Sequence, residues 1–209
     1  MKLNVRRCLK IWKGGFVKEF KRPCIRVVLI CFSLLLSLSV LAQPSYKSVL
    51  KKWTRHDRVF VLENFEERLN WHATYLSEEF REARRKKLTN LYEWTDQESV
   101  RRKNEDRDEA DRYDTFFLGI YSGSSVWPEI GKDTGKWKMV LEAEGRPVAE
   151  SVRLERVPMT QLERTLFPYL EKWSHAFIVQ FPKTIQAGKP FRLRMTGIPA
   201  RSELVWKNP

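Results

Sequence analysis

Apolar and polar residues take turns along much of this chain, and each change of rhythm marks a change of element. ERLNWHATYLS, residues 67–77, sets Leu69, Trp71, Ala73 and Tyr75 against Asn70, His72 and Thr74, a period of two that predicts a strand with one buried face. Ser77 then reads as a helix cap with Glu78 and Glu79 in the first turn, and Phe80, Ala83, Leu88 and Leu91 continue at helical spacing to about Trp94. Thr95 and Glu98 have the spacing of a capping box for a second helix, SVRRKNEDRDEADRY, which is almost wholly charged. Its Arg101/Glu105, Arg102/Asp106 and Arg107/Asp111 pairs are four residues apart, so it reads as a solvated, salt-bridged helix or as a docking surface for a charged partner.

From Tyr113 onward the pattern breaks into short strands divided by turn residues. TFFLGIYS (115–122), WKMVLEAE (137–144), VAESVRLERV (148–157), HAFIVQFP (175–182), PFRLRMTG (190–197) and SELVW (202–206) all fit. Thr160 and Glu163 form another capping box, which predicts a helical turn or two before Pro168. With ERLNWHATYLS these make about seven strands. Their apolar faces need a second layer to cover them, which predicts an antiparallel, Ig-like β-sandwich carrying a two-helix insertion (78–113) after its first strand. Residues 43–58 read as a polar lead-in or linker with a short helix near Val49–Trp53, and VFVL (59–62) reads equally as a strand or a turn. The single domain is expected over 59–209.

One stretch follows neither rhythm. Val27 to Ala42 is a sixteen-residue apolar run. As a helix it spans roughly 24 Å, short of the roughly 30 Å hydrocarbon core of a bilayer. Lys18, Lys21, Arg22 and Arg26 precede it, and Val40-Leu41-Ala42 ends it with small or modest side chains. This is the build of a signal peptide over 1–42, with the cut expected between Ala42 and Gln43. The alternative is an uncleaved anchor with its basic end in the cytoplasm. Both place the body outside the cytoplasm. The sixteen residues ahead of Val17 are unusual for a leader, and translation starting at Val17 would account for them.

Removing the leader changes the charge picture. It holds nine of the 39 Lys/Arg and one of the 26 Asp/Glu, so the excess of +13 falls to about +5. The case for a nucleic-acid partner weakens accordingly. Cys8, Cys24 and Cys31 also lie in the leader, so the body has no thiol for a disulfide, a thiolate metal site or a nucleophile. Seven of the eight tryptophans remain to build its core.

Candidate chemistry is sparse. GKDTGKW (131–137) lacks the phosphate-loop spacing and leads into a strand, so it reads as a hairpin loop. SGSS (122–125) lacks the nucleophile-elbow pattern, and His56, His72 and His175 are scattered without a zinc spacing. Glu142 and Glu144 share a strand face and are the nearest thing to a paired-carboxylate site. Trp127-Pro128, in a Gly- and Ser-rich loop, could stack on a sugar or bind a partner, or plug the end of the sandwich. Arg153, Arg156, Arg192 and Arg194 could form a basic surface for an anionic lipid or polysaccharide. No cofactor is expected. The partner expected is an envelope protein or polysaccharide, contacted through the 122–136 loop or the charged helix 96–112, and the membrane is touched only through an uncleaved leader.

ATYLSEEFREA, FLGIY, WKMVLE, the RVP-x8-FPY spacing, the FP after a strand and the final LVW resemble a loose group of uncharacterised exported bacterial envelope proteins. The likeness covers roughly residues 66–206. The group has no assigned activity, so the resemblance implies fold and location and supplies no catalytic residue. An exported, non-enzymatic binding or structural protein is the leading expectation. A periplasmic carboxylate hydrolase of cell-wall material and a membrane-anchored accessory subunit are its alternatives.

Overall fold

The computed structural model describes residues 44–61, 66–121, 137–197, 201–207 and 209. The compact body runs from Pro44 to Pro209. It is mainly β, with nine strands and four helices among the described residues.

Residues 44–58, expected as a lead-in, belong to the body. Ser45 caps helix α1 (Tyr46–Trp53), its hydroxyl accepting from the Ser48 N–H at 3.2 Å. Val49, Leu50 and Trp53 are buried and Lys47, Lys51 and Lys52 stay outside. The chain passes directly into strand β1 (Thr54–Val61), so residues 59–61 of the ambiguous segment are strand, and Leu62 lies outside the described residues. β2 (Glu66–Tyr75) is the strand read from alternation, and it is the second rather than the first. The helical pair α2 (Glu78–Tyr92) and α3 (Asp96–Arg112) therefore sits between β2 and β3 (Tyr113–Tyr121). β4 (Trp137–Ala143) follows.

The segment 148–157, expected as one strand, splits. β5 (Ala149–Glu150) pairs with β4, whereas β6 (Arg153–Val157) pairs with β7 (His175–Pro182). The chain changes sheets at Ser151-Val152. Helix α4 (Gln161–Leu166) carries the expected capping box of Thr160 and Glu163. β8 (Phe191–Gly197) and β9 (Arg201–Trp206) complete the fold.

All pairings are antiparallel, in a five-stranded sheet ordered β1-β2-β3-β7-β6 and a four-stranded sheet ordered β5-β4-β8-β9. The sheets face each other across a layer of rings. Phe116 lies 5.9 Å from Phe181, 6.1 Å from Phe191 and 5.6 Å from Trp206. The polar ends of the buried indoles are satisfied: Trp71 donates to the Ser202 hydroxyl at 2.8 Å and Trp206 to the Trp53 carbonyl at 3.0 Å. At one side β1 meets β9, where Arg55 Nε donates to the Val205 carbonyl at 3.1 Å.

The five-stranded sheet is covered on its other face too. Phe117, turned away from Phe116 by the pleat, stacks on Phe167 at 3.7 Å, and Phe167 meets Phe80 of α2 at 5.9 Å. The segment after α4 lies so close to β3 that a Cβ at Gly119 would come within 2.6 Å of the Leu170 side chain. Any larger residue there would have to displace the Leu170 side chain.

Candidate functional site

The four arginines singled out from the sequence do not form one surface. Arg153 and Arg156 are on β6 of the five-stranded sheet, and Arg192 and Arg194 are on β8 of the other. Arg192 and Arg194 do point away from Phe191, Leu193 and Met195, as alternation predicts, but they are neutralised there. Glu142 takes Arg194 at 2.5 Å and Arg192 at 3.5 Å, and Glu203 lies 3.7 Å from Arg192. Arg153 is paired with Glu155. Glu142 is thus held in an ion-pair ladder, and Glu144 lies past the end of β4 in a turn, so the two do not face each other across a cleft. Trp127, Pro128 and the other residues of 122–136 lie outside the described residues, as do Ala42 and Gln43.

Arg156 is different. It lines an open cleft of about 450 Å³ with Val157, Pro158, Met159, Lys172, Ser174 and His175. Its guanidinium lies 2.9 Å from His175 Nδ1. A guanidinium can only donate, so Nδ1 is the acceptor and the neutral ring carries its proton on Nε2. Burial, and then the neighbouring Arg156 charge, hold His175 below the ordinary imidazole value. Ser174 Oγ accepts from the Glu171 N–H at 3.1 Å, which leaves its hydroxyl proton as a donor. Lys172 sits with its ammonium 5.0 Å from the centre of the Trp173 ring, and Trp173 is 68 % exposed. Among the described residues no carboxylate lines this cleft, and neither Arg156 nor Lys172 has an ion-pair partner. Arg156 and His175 were visible in the sequence as single residues. Lys172 was missed, because only the turn between α4 and β7 brings it into one cleft with the end of β6.

The other histidines have a structural setting. His56 and His72 are directly opposed on β1 and β2 and stack at 4.7 Å, and His72 stacks on Tyr169 at the same distance. Burial, then His56 and Arg58, lower the His72 pKa to about 4. The polar face predicted for His72 is therefore covered rather than open. Tyr169 continues through its hydroxyl to Thr74 and on to Thr54, each step 2.8 Å. No group of three or more His, Cys, Asp or Glu suited to a metal ion occurs among the described residues.

Two further clefts have offsetting charges. One of about 500 Å³ between α2 and α3 mixes Arg81, Arg85 and Arg107 with Glu78, Glu82 and Asp106. The other, about 340 Å³, has Trp53, Tyr75 and Phe191 in its lining, with Lys52, Glu79 and Lys183 beside them.

No family model matches the chain, and no curated protein does. Among solved structures, a Burkholderia pseudomallei K96243 protein described as a novel protein of unknown function is similar at a TM-score of 0.44. Its identity is 8 %, over 78 % of this chain and 81 % of that one.

Proposed function

We propose that this is an exported cell-envelope protein that binds or supports another envelope component rather than turning over a substrate. The observation that carries the non-enzymatic half is the fate of its most buried acid. Asp114 is the one fully buried carboxylate among the described residues, and its oxygens are occupied. They accept from Tyr75 Oη at 2.9 Å and from the Thr184 and Ile185 N–H groups at 2.6 and 2.7 Å, with Lys183 at 3.2 Å. A carboxylate so engaged fastens the 183–185 turn to β3 and has little capacity left for acid–base work.

Export rests on the apolar leader with its basic flank and on the absence of cysteine from everything after it. The likeness to exported bacterial envelope proteins belongs to the same proposal. An Ig-like arrangement of the two antiparallel sheets is part of the same proposal. Cell fractionation with intact-mass measurement tests the reading. A periplasmic or envelope-associated species beginning at Gln43 is expected. A retained leader would instead make it an anchored subunit. A cytosolic species, or release of sugar or peptide from purified cell wall that Glu142→Gln abolishes, would overturn it.

A further inference from the structure

The cleft walled by Arg156, Lys172, Ser174 and His175 is, we propose, a binding site for an anionic saccharide: a sugar bearing a carboxylate or phosphate. The inference rests on the envelope-binding reading and adds a site and a ligand class to it. Three of the four arginines noted in the sequence are offset by their own carboxylates, Arg153 by Glu155 and Arg192 and Arg194 by Glu142. Arg156 is offset by none among the described residues, and its partner is a neutral imidazole that takes one of its five N–H groups. The remaining guanidinium donors, the Lys172 ammonium, the Ser174 hydroxyl and the Nε2–H of His175 make the wall rich in donors, with no carboxylate among its described residues. Such a wall favours an anion, and the planar guanidinium fork suits a carboxylate or a phosphate ester.

The saccharide half of the inference comes from Trp173. It stands between two cleft residues in sequence and exposes 68 % of its surface, far more than a core ring would. Trp173 does not itself line the cleft; Lys172, which does, carries its ammonium 5.0 Å from the ring centre, so a ligand with a C–H face and an acidic substituent would engage both. Lys172 over the ring adds positive charge at the junction. At about 450 Å³ the cleft falls within the usual span of small-ligand sites, roughly 300–1,000 Å³.

Isothermal titration of the full-length protein, with digalacturonate, maltose and inorganic phosphate as probes, tests this. Digalacturonate should bind and maltose should not. Arg156→Gln should weaken digalacturonate about ten-fold, as expected for loss of a charge-assisted hydrogen bond, while Arg153→Gln leaves it unchanged. Trp173→Ala should weaken digalacturonate several-fold and leave phosphate as it was. Equal losses in Arg153→Gln and Arg156→Gln would reduce the effect to general surface charge and overturn the site. Maltose or phosphate binding as tightly as digalacturonate, or no effect of Trp173→Ala, would overturn the saccharide class. Fractionation separates this from the broader reading: a cytosolic protein whose cleft still binds digalacturonate refutes export and leaves the site standing.

Discussion

Two seams hold this molecule together, and they are made of opposite materials. Between the sheets, Trp71, Phe116, Phe181 and Trp206 are all less than 2 % exposed, and Phe116 meets Phe181 and Trp206 ring against ring. Between α2 and α3 the contact is ionic. Arg81, 3 % exposed, reaches Glu109 at 2.9 Å and Asp106 at 3.5 Å, and Arg84 reaches Asp106 at 2.9 Å. Glu109 also accepts from Thr115 at 2.7 Å and Gln180 at 3.2 Å, which ties the helical pair to the five-stranded sheet. The first seam is stabilised by apolar area and responds to lost volume. The second depends on each charge having its partner, and so it responds to pH and to single-sided deletion.

The largest effect is expected in the ring seam. Trp206→Ala removes a ring stacked 4.9 Å from Phe191 and vacates the Trp53 carbonyl. It should cost about 3–5 kcal/mol, the range for a buried aromatic truncated to alanine. Urea denaturation measures this. A cost under about 1 kcal/mol would mean that the seam is loosely packed and that the contrast between the two seams is wrong.

In the ionic seam, Arg81→Met should cost about 2–3 kcal/mol, somewhat below a fully buried pair because Glu109 retains partial exposure. The loss includes the Leu76 carbonyl, which Arg81 Nε holds at 2.9 Å. Adding Glu109→Gln to Arg81→Met should cost much less than the sum of the two singles, since the stranded carboxylate is gone. Strict additivity would show that the two side chains do not act as a pair.

The pH response separates the seams further. Burial alone would raise the pKa of Glu109, but hydrogen bonds and charge from Arg81, with Thr115 and Gln180, outweigh it and leave the group depressed. A depressed carboxylate contributes stability that is present above its unfolded value, about 4.3, and is lost as the pH falls through the folded value. His72 acts earlier. Its folded value of about 4 lies below the unfolded 6.5, so its contribution is whole above pH 6.5 and declines as the pH falls towards 4. Discounted for partial exposure, this amounts to about 1–2 kcal/mol. His175 is shifted the same way, so His72→Gln should reduce, not abolish, the slope of stability between pH 6.5 and 4. An unchanged slope would mean that the His56–His72–Tyr169 column does not keep His72 neutral.

The two seams were not equally legible in the sequence. Alternation exposes the ring seam, because a strand's period of two assigns Trp71 and Phe191 to an inner face without knowledge of the partner sheet. It also placed β7, β8 and the caps Ser77, Thr95 and Thr160 to within a residue or two. It failed where a short segment changes sheets. VAESVRLERV reads as one run, and the switch at Ser151-Val152 is set by which neighbour each half finds. The ionic seam was half visible. Arg101/Glu105 and Arg107/Asp111 pair as the spacing predicts, but Asp106, expected to join Arg102, turns to Arg81 and Arg84 instead. Arg102 takes Glu98 at 2.8 Å. Charge spacing shows which partners are within reach on one helix and is blind to a second helix. The cleft was hidden for the same reason, since Lys172 and Arg156 come to line it together only through the turn that follows α4.

That blindness gives the smallest predicted effect. Arg107 and Asp111 fit the helical pairing rule as well as any residues in α3, yet they lie 3.9 Å apart with 79 % and 73 % of their side chains exposed. Water screens such a pair, and ordering two long side chains offsets the remaining attraction. Arg107→Ala should therefore leave the urea midpoint unchanged within error. Arg81→Met, on the facing helix and outside any helical pairing rule, should shift it strongly. If the two substitutions shifted the midpoint equally, desolvation would not be what distinguishes them, and the ionic seam would be no more than the sum of α3's surface charges.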